Sequence, residues 1–273
     1  MKNFILIICL ILISTKFTGC SNVKPAKETK VSDSSPSESQ LPSNSTSDTG
    51  LSFTNKDVYR FAFNLEPSDI VNDAVVYYVG SVDNLGEYIN KLGRDKKFIA
   101  YLSIGSMEEY RSDAKLLKPF CKKKYKGYSQ ECWLDLTKWR SYIDIMYKRI
   151  DVIRTKGYNA FYLDNCAMFS QGLGTLEENI EYLKSIARYS HFHGLKLACN
   201  NGYSMAEKIE PFMDFQVLES CNKYKECHFY DSFVKNNKPV HHLEFSKSDC
   251  KKVDGHITQV YNMELNKKIK DCN

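Results

Sequence analysis

From Tyr59 onward, short apolar runs alternate with longer stretches in which apolar residues recur every three or four positions. The short runs read as buried strands and the longer ones as amphipathic helices, and their alternation predicts βαβ units around a parallel sheet. The pattern predicts strands at Arg60–Leu65, Ala74–Val79, Phe98–Ile104, Ala160–Asp164, Leu195–Asn200, Phe215–Glu219, Val240–Phe245 and Ile257–Tyr261. These make up the eight strands of an α/β fold of the TIM (β/α)8 barrel class, which commonly takes about 250 residues as a single domain. Trp133-Leu134-Asp135-Leu136 is a further short apolar run, read as part of a long excursion after the third strand. Trp139, Tyr142, Ile143, Met146, Ile150 and Ile153 line one helical face that ends at Gly157, and Leu176, Ile180, Leu183 and Ala187 line another that closes at His193-Gly194. The expected domain spans residues 51–273.

The pattern is different before residue 51. Met1-Lys2-Asn3 followed by the apolar run Phe4 to Ile13 has the charged start and short apolar centre of a secretory signal, and it is too short to span a membrane. Phe17-Thr18-Gly19-Cys20 resembles a bacterial lipoprotein signal, which would attach the chain to a membrane through lipidated Cys20; the other reading is ordinary cleavage near Cys20 or Ser21. On either reading residues 1–20 are a signal peptide, and the protein is secreted or held on the outer face of the cell membrane. Residues 21–50 are rich in Ser, Thr, Pro, Lys and Glu, offer little to bury, and read as a disordered tether. Asn44-Ser45-Thr46 in this tether is a glycosylation sequon.

Removing Cys9 and Cys20 leaves an even set of cysteines with no CxxC pair, which in an exported chain favours disulfides over metal ligation. Sequence alone does not fix their connectivity. Proximity suggests Cys121 with Cys132, Cys221 with Cys227 and Cys250 with Cys272, leaving Cys166 for Cys199. The net charge of +5 is spread out, and its densest basic cluster, Lys118 to Lys126, reads as a solvated loop without a nucleic-acid fold motif. A nucleic-acid partner is therefore not expected. His241-His242 does not make a metal site, because neighbours in a strand point to opposite faces. Gly172-Leu173-Gly174 lacks the third glycine and the preceding strand of a nucleotide loop. No metal or cofactor is expected, and the chain is read as a monomer.

The informative acids are Asp164 and Glu219, each at the C-terminal end of a predicted strand, where barrel enzymes carry their chemistry. On the eight-strand count they end strands four and six, with one strand between them. Tyr162 and Asp164 share one face of their strand, and Val217 and Glu219 one face of theirs. Two carboxyls over one opening suit glycoside hydrolysis, in which one protonates the leaving oxygen and the other attacks the anomeric carbon or activates water. The plainer alternatives are a turn or helix-cap role for Asp164 and a buried ion pair with Lys223 or Lys225 for Glu219. A chitinase-like reading is disfavoured because no glutamate lies two residues beyond Asp164.

Phe161-Tyr162-Leu163-Asp164-Asn165 and Glu219-Ser220-Cys221-Asn222-Lys223-Tyr224-Lys225-Glu226-Cys227 resemble the endo-α-1,4-polygalactosaminidases, glycoside hydrolase family 114. Ala100 to Arg111 is similar to that family's third-strand segment, and Trp133-Leu134-Asp135 to its later W-L/V-D element; the Glu219-x-Cys221-x5-Cys227 segment is the most specific. The resemblance implies an α/β barrel that cuts α-1,4 linkages within galactosamine-containing polysaccharide such as galactosaminogalactan. It puts Asp164 in the family's first acidic position and Glu219 in its second, and by analogy with retaining barrel enzymes Asp164 is expected as nucleophile and Glu219 as acid/base. Tyr101, Glu108, Arg111, Tyr162, Asn165 and Asn200 are expected around the substrate, although Glu108 and Arg111 equally suit a helical surface pair and the tyrosines suit core packing. The chain departs from the family pattern at Phe61, Phe63, Tyr77-Tyr78-Val79-Gly80, Cys166 and Cys199, all near the expected rim. The competing functions are a carbohydrate-binding barrel that has lost turnover, and a hydrolase of another α-linked glycan.

Overall fold

The runs that predicted strands do form a parallel sheet, because they are apolar on both faces and helices and loops cover the outside. The computed structural model describes residues 54–272 apart from positions 55, 64 and 81; the signal segment, the tether and Cys20 lie outside the described residues. In chain order the strands are β1 (Tyr59–Ala62), β2 (Val76–Val79), β3 (Lys97–Ser103), β4 (Ser106–Glu108), β5 (Cys121–Lys124), β6 (Glu131–Leu134), β7 (Ala160–Asp164), β8 (Lys196–Asn200), β9 (Phe215–Glu219), β10 (Val240–Glu244), β11 (His256–Tyr261) and β12 (Lys268–Asp271). The main sheet runs β1-β2-β3-β7-β8-β9-β10-β11-β12, parallel throughout except for the final antiparallel pair. The eight expected strands are β1, β2, β3, β7, β8, β9, β10 and β11, so Asp164 and Glu219 do end the fourth and sixth barrel strands.

The barrel is nearly closed, with a seam between β11 and β1. The seam is bridged by single contacts: the Phe61 amide donates to the Tyr261 hydroxyl at 3.1 Å and the Phe63 amide to the Leu265 carbonyl at 3.2 Å. Inside, inward-facing rings fill the lower barrel, with Tyr59, Phe61, Tyr78, Tyr162, Phe215 and Tyr261 packed together. His241 belongs to this filling, stacked on Tyr59 at 4.5 Å and bonded to the Tyr78 hydroxyl. His242 points the other way, as the strand period requires.

The second core lies between the sheet and the outer helices. These are α1 (Leu85–Leu92), α2 (Ala114–Leu117), α3 (Trp139–Thr155), α4 (Leu176–Phe192), α5 (Ala206–Ile209), α6 (Cys221–Tyr224) and α7 (Asp231–Lys235). The predicted apolar face of α3 is buried through Trp139, Tyr142, Met146, Ile150 and Ile153. Thr175 starts α4 with a reciprocal cap to Glu178, which satisfies two otherwise orphaned amide donors. From β8 onward the crossover helices shrink to about one turn.

The excursion after β3 has structure of its own. β4, β6 and β5 form a small antiparallel sheet in which Glu108 faces Glu131 across the β4–β6 pair, so Trp133 and Leu134 belong to a strand there. Among the described residues there are four disulfides, Cys121–Cys132, Cys166–Cys199, Cys221–Cys227 and Cys250–Cys272, the three that proximity suggests and the one left by elimination. Two of them, Cys166–Cys199 and Cys221–Cys227, tie down the segments that follow the strand ends carrying the acids.

Candidate active site

The fourth, fifth and sixth barrel strands each end in a polar side chain, followed at once by a residue with positive φ. Asp164, Asn200 and Glu219 are those ends, and Asn165 (φ 59°), Asn201 (φ 56°) and Ser220 (φ 63°) follow them. L-residues rarely adopt this conformation, and asparagine tolerates it better than most. It turns the chain sharply, so the residue after the strand can bond to its own strand end or to a neighbouring strand. The Asn165 amide donates to Asp164 Oδ1 at 2.8 Å, and Asn201 Oδ1 accepts the Glu219 amide at 2.8 Å.

Asn200 stands between the two acids. Its Nδ2 donates to Glu219 Oε1 at 3.0 Å and to Asp164 Oδ1 at 3.4 Å, so these two oxygens are at most 6.4 Å apart, the sum of the two distances. Because a planar amide directs its two hydrogens about 120° apart, the separation is about 5.5 Å. Asp164 is also held by the Tyr101 hydroxyl, which donates to its Oδ2 at 2.9 Å. Asp164 is only 4% exposed, whereas Glu219 is partly open at the mouth.

The electrostatics separate the two carboxyls. Burial pushes Asp164 above the ordinary carboxylate range, and the Asn165 amide, the Tyr101 hydroxyl and Asn200 all oppose that rise. Burial, and then the neighbouring charge of Asp164, push Glu219 up to about 8, against one opposing bond from Asn200. Hydrogen bonds donated to an ionised carboxylate favour its charged form. Asp164 has three such donors and Glu219 has one, so Asp164 is the group that ionises first and Glu219 the one that keeps its proton.

A further acid, which the sequence reading did not select, is Glu131 on β6. It is 9% exposed, its Oε2 has no hydrogen-bond partner, and burial together with Glu108 and Asp164 pushes it up to about 8. No local pattern marked Glu131; the cross-strand pairing with Glu108 brings it to the site. Glu108 is fully buried, accepts the Tyr110 hydroxyl at 2.5 Å and is bonded by Arg111 Nε. The Arg111 guanidinium lies 6.0 Å from the centre of the Tyr101 ring, which places this group beside Asp164.

The other expected residues occupy different layers. Asn165 turns its side chain away from the mouth: its Nδ2 donates to the Ser103 and Ser106 hydroxyls at 2.9 and 3.2 Å, and its Oδ1 accepts from Tyr125 at 2.9 Å. Gly105 makes this approach possible, since a Cβ there would lie 2.3 Å from the Asn165 carbonyl oxygen. Tyr162 lies one layer below Asp164, packed edge-on against Tyr78 and Tyr101 at 5.4 and 5.6 Å. Asp164, Glu219, Asn200, Tyr101, Glu108 and Arg111 are thus brought together, with Asn165 behind them and Tyr162 beneath.

A model of the glycoside-hydrolase family GH114 matches residues 41–271. Among solved structures the chain is similar to Aspergillus fumigatus Ega3 in complex with galactosamine, with TM-score 0.70 and 22% identity over 78% of this chain and 94% of that one. It is also similar to the glycoside hydrolase domain of PelA from Pseudomonas aeruginosa, with TM-score 0.59 and 14% identity over 78% of this chain and 97% of that one. Among curated proteins none matches.

Proposed function

The chain belongs to glycoside-hydrolase family GH114, and on that premise we propose that it is an exported endo-acting hydrolase of α-1,4 linkages in galactosamine-containing polysaccharide, with Asp164 as nucleophile and Glu219 as acid/base. The observation that carries this reading is Asn200, whose single amide nitrogen is bonded to both carboxyls and so keeps Asp164 Oδ1 and Glu219 Oε1 within 6.4 Å of each other. Retaining glycosidases hold their carboxyls about 5 to 5.5 Å apart, whereas inverting ones leave about 6.5 to 9.5 Å for a water. The separation here supports retention.

In the first step Asp164 attacks the anomeric carbon while Glu219 gives its proton to the departing glycosidic oxygen. The anomeric C–O bond breaks as a covalent glycosyl-enzyme forms. In the second step Glu219, now ionised, takes a proton from water as that water displaces Asp164, and both groups return to their starting states. Tyr101 holds Asp164 in place, and Asn200 follows both carboxyls through the exchange of charge.

An amino sugar carries a positive charge, and Glu131, whose Oε2 has no hydrogen-bond partner, is the acid near Asp164 that an approaching ammonium group would ionise and pair with. Ega3, which shares the fold, was solved with galactosamine. Tyr101, Arg111 and Asn200 are assigned to contact the sugar, with buried Glu108 holding Arg111 in place and Asn165 and Tyr162 supporting them from behind and below. Four disulfides within the described residues are consistent with an oxidising, exported setting.

The test is digestion of galactosamine oligomers by the purified chain, with Asp164→Asn and Glu219→Gln beside it. Internal cleavage products, the α-anomer as first product, and losses of at least a thousandfold in each variant with unchanged thermal unfolding are expected. Saturable binding with no product would show a binding barrel. Near-native turnover in either variant would overturn the assignment of roles.

A further inference from the structure

His242 and His256 take no part in the reaction above, yet they stand together. Strand β10 pairs with β11 so that Val240 is opposite His256 and His242 is opposite Thr258. Alternate residues share a face, so both imidazoles lie on the outer side of the barrel. There they meet the segment that follows Glu219, in which Cys221 opens α6 and Cys227 comes six residues later. One ligand atom from each of Cys221, Cys227, His242 and His256 lies within 4.8 Å of all the others.

A tetrahedral zinc ion with Zn–S bonds of about 2.3 Å and Zn–N bonds of about 2.0 Å holds its ligand atoms roughly 3.3 to 3.8 Å from one another. On reduction the two sulfurs, about 2.05 Å apart in any disulfide, would part by roughly 1.7 Å, and the widest pair, within 4.8 Å now, would close by about 1 to 1.5 Å to surround one ion. A second observation points the same way. Both ring nitrogens of His256 are buried without a hydrogen-bond partner, although a buried imidazole ordinarily has both nitrogens satisfied. His242 is fixed at Nδ1, and its Nε2, which is paired with Glu244 in the oxidised protein, would exchange that partner for the ion. Its Nδ1 lies 3.0 Å from Thr258 Oγ1, and its Nε2 faces Cys221 Sγ at 3.2 Å, with Glu244 Oε1 alongside at 2.7 Å.

We propose that Cys221, Cys227, His242 and His256 form a thiol-gated zinc site: the two cysteines are joined as a disulfide in the oxidised protein, and the four residues bind one Zn²⁺ when that disulfide is reduced. A dithiol reductant supplies two electrons and two protons to the S–S bond and leaves as its own cyclic disulfide. Zn²⁺ then displaces both thiol protons to solvent and binds two thiolates and two neutral imidazoles, a set with no net charge. One crosslink replaces another, two residues beyond Glu219, so the turn that presents that carboxyl stays closed in reducing as well as oxidising surroundings. This inference does not depend on the glycan that the enzyme cuts.

The test uses the full chain and the metal alone. Cys227→Ser cannot form this disulfide but leaves the other three oxidised, and it retains one thiolate and two imidazoles. It is expected to take up one equivalent of Zn²⁺ without reductant, to show a thiolate-to-cobalt absorption with Co²⁺, and to lose affinity at least tenfold when His256→Ala is added. The oxidised native chain is expected to bind no zinc at the same concentration, and the dithiothreitol-treated native chain to bind one equivalent that His242→Ala or His256→Ala weakens at least tenfold. Should Cys227→Ser fail to fold, the reduced native chain and its two histidine variants decide the question. Absence of stoichiometric uptake in both forms, or uptake indifferent to the histidine substitutions, would overturn the proposal.

Discussion

Asp164→Asn should lower the pKa of Glu219, because it removes a like charge while leaving the shape of the site almost unchanged. The two carboxyl oxygens are about 5.5 Å apart, as the shared Asn200 amide dictates. At that distance two unit charges repel by about 3 kcal/mol at an effective dielectric constant of about 20, and by about 0.8 kcal/mol at that of water. Since one pKa unit corresponds to about 1.4 kcal/mol, Glu219 should move down by roughly 0.5 to 2 from its native value of about 8. It should still remain above 4.5, because burial, the larger cause of its elevation, persists in the variant. Carbon-13 NMR titration of glutamate-labelled protein reads this carboxyl directly, and the native pH–rate profile gives an independent value. In that profile activity should fall on the acid side as Asp164 takes up a proton and on the alkaline side as Glu219 loses its own near pH 8. A Glu219 pKa that differs by less than about 0.2 between the native chain and Asp164→Asn would refute the reasoning, since neighbouring charges cannot be so close and fail to interact.

Glu131→Gln should raise KM for galactosamine oligomers by roughly tenfold with little change in kcat, the magnitude of one charge-assisted contact; because Glu131 is pushed up to about 8, the increase should be largest near pH 8 and smaller at pH 6, and N-acetylated oligomers should be unaffected, which steady-state kinetics on the two substrate series at the two pH values checks. Arg149→Ala should destabilise the fold by about 3 kcal/mol, because Arg149 binds both oxygens of Asp113 at 2.6 and 2.9 Å and the Ser103 carbonyl at 2.9 Å. Burial opposes the charge of Asp113, yet Arg149 overcomes it and holds the carboxyl below 3.8. A depressed carboxyl contributes stability above its unfolded pKa and loses it as pH falls through the folded one. The gap between native and Arg149→Ala urea midpoints should therefore be full at pH 6 and shrink below about pH 3.8.

Much of the barrel was legible because its strands are local and buried on both faces, so a short apolar run such as Phe161-Tyr162-Leu163 can hardly be placed elsewhere. Elements whose pattern is set by distant partners were less visible. Strand β12, Lys-Ile-Lys-Asp, is largely exposed and is fixed by its antiparallel pairing with β11. Strand β5 is a run of lysines behind Cys121 whose pattern predicts a loop, but β6 holds it as an edge strand, where lysine discourages further pairing. Glu131 joined the site through the same small sheet, by a cross-strand contact that no periodicity in its neighbourhood announces. The two-residue period correctly turned Tyr162 inward. Its depth follows from the tilt and stagger of strands around the barrel, and those are properties of the whole sheet.

The turns after the strands are the one feature of the site that sequence could have shown more sharply. Asp164-Asn165, Asn200-Asn201 and Glu219-Ser220 are each a polar strand end followed by a residue in the left-handed region. Such backbone conformations cost about 1 to 3 kcal/mol when the residue is not glycine, and three in a row around one opening are not what folding alone would select. Each has a use here. At Asn165 the turn brings a backbone amide onto Asp164, and at Asn201 it brings a side-chain oxygen onto the Glu219 amide. At Ser220 it directs the chain into Cys221 and the disulfide that fixes the loop. Glycine would adopt these angles with less strain, but glycine has no side chain to bond back to the neighbouring strand, as Asn201 does, or to brace the turn from behind, as Asn165 does through Ser103, Ser106 and Tyr125. Asparagine at the first two positions therefore meets both requirements, and a polar strand end followed by asparagine is the local signal by which such a rim can be read.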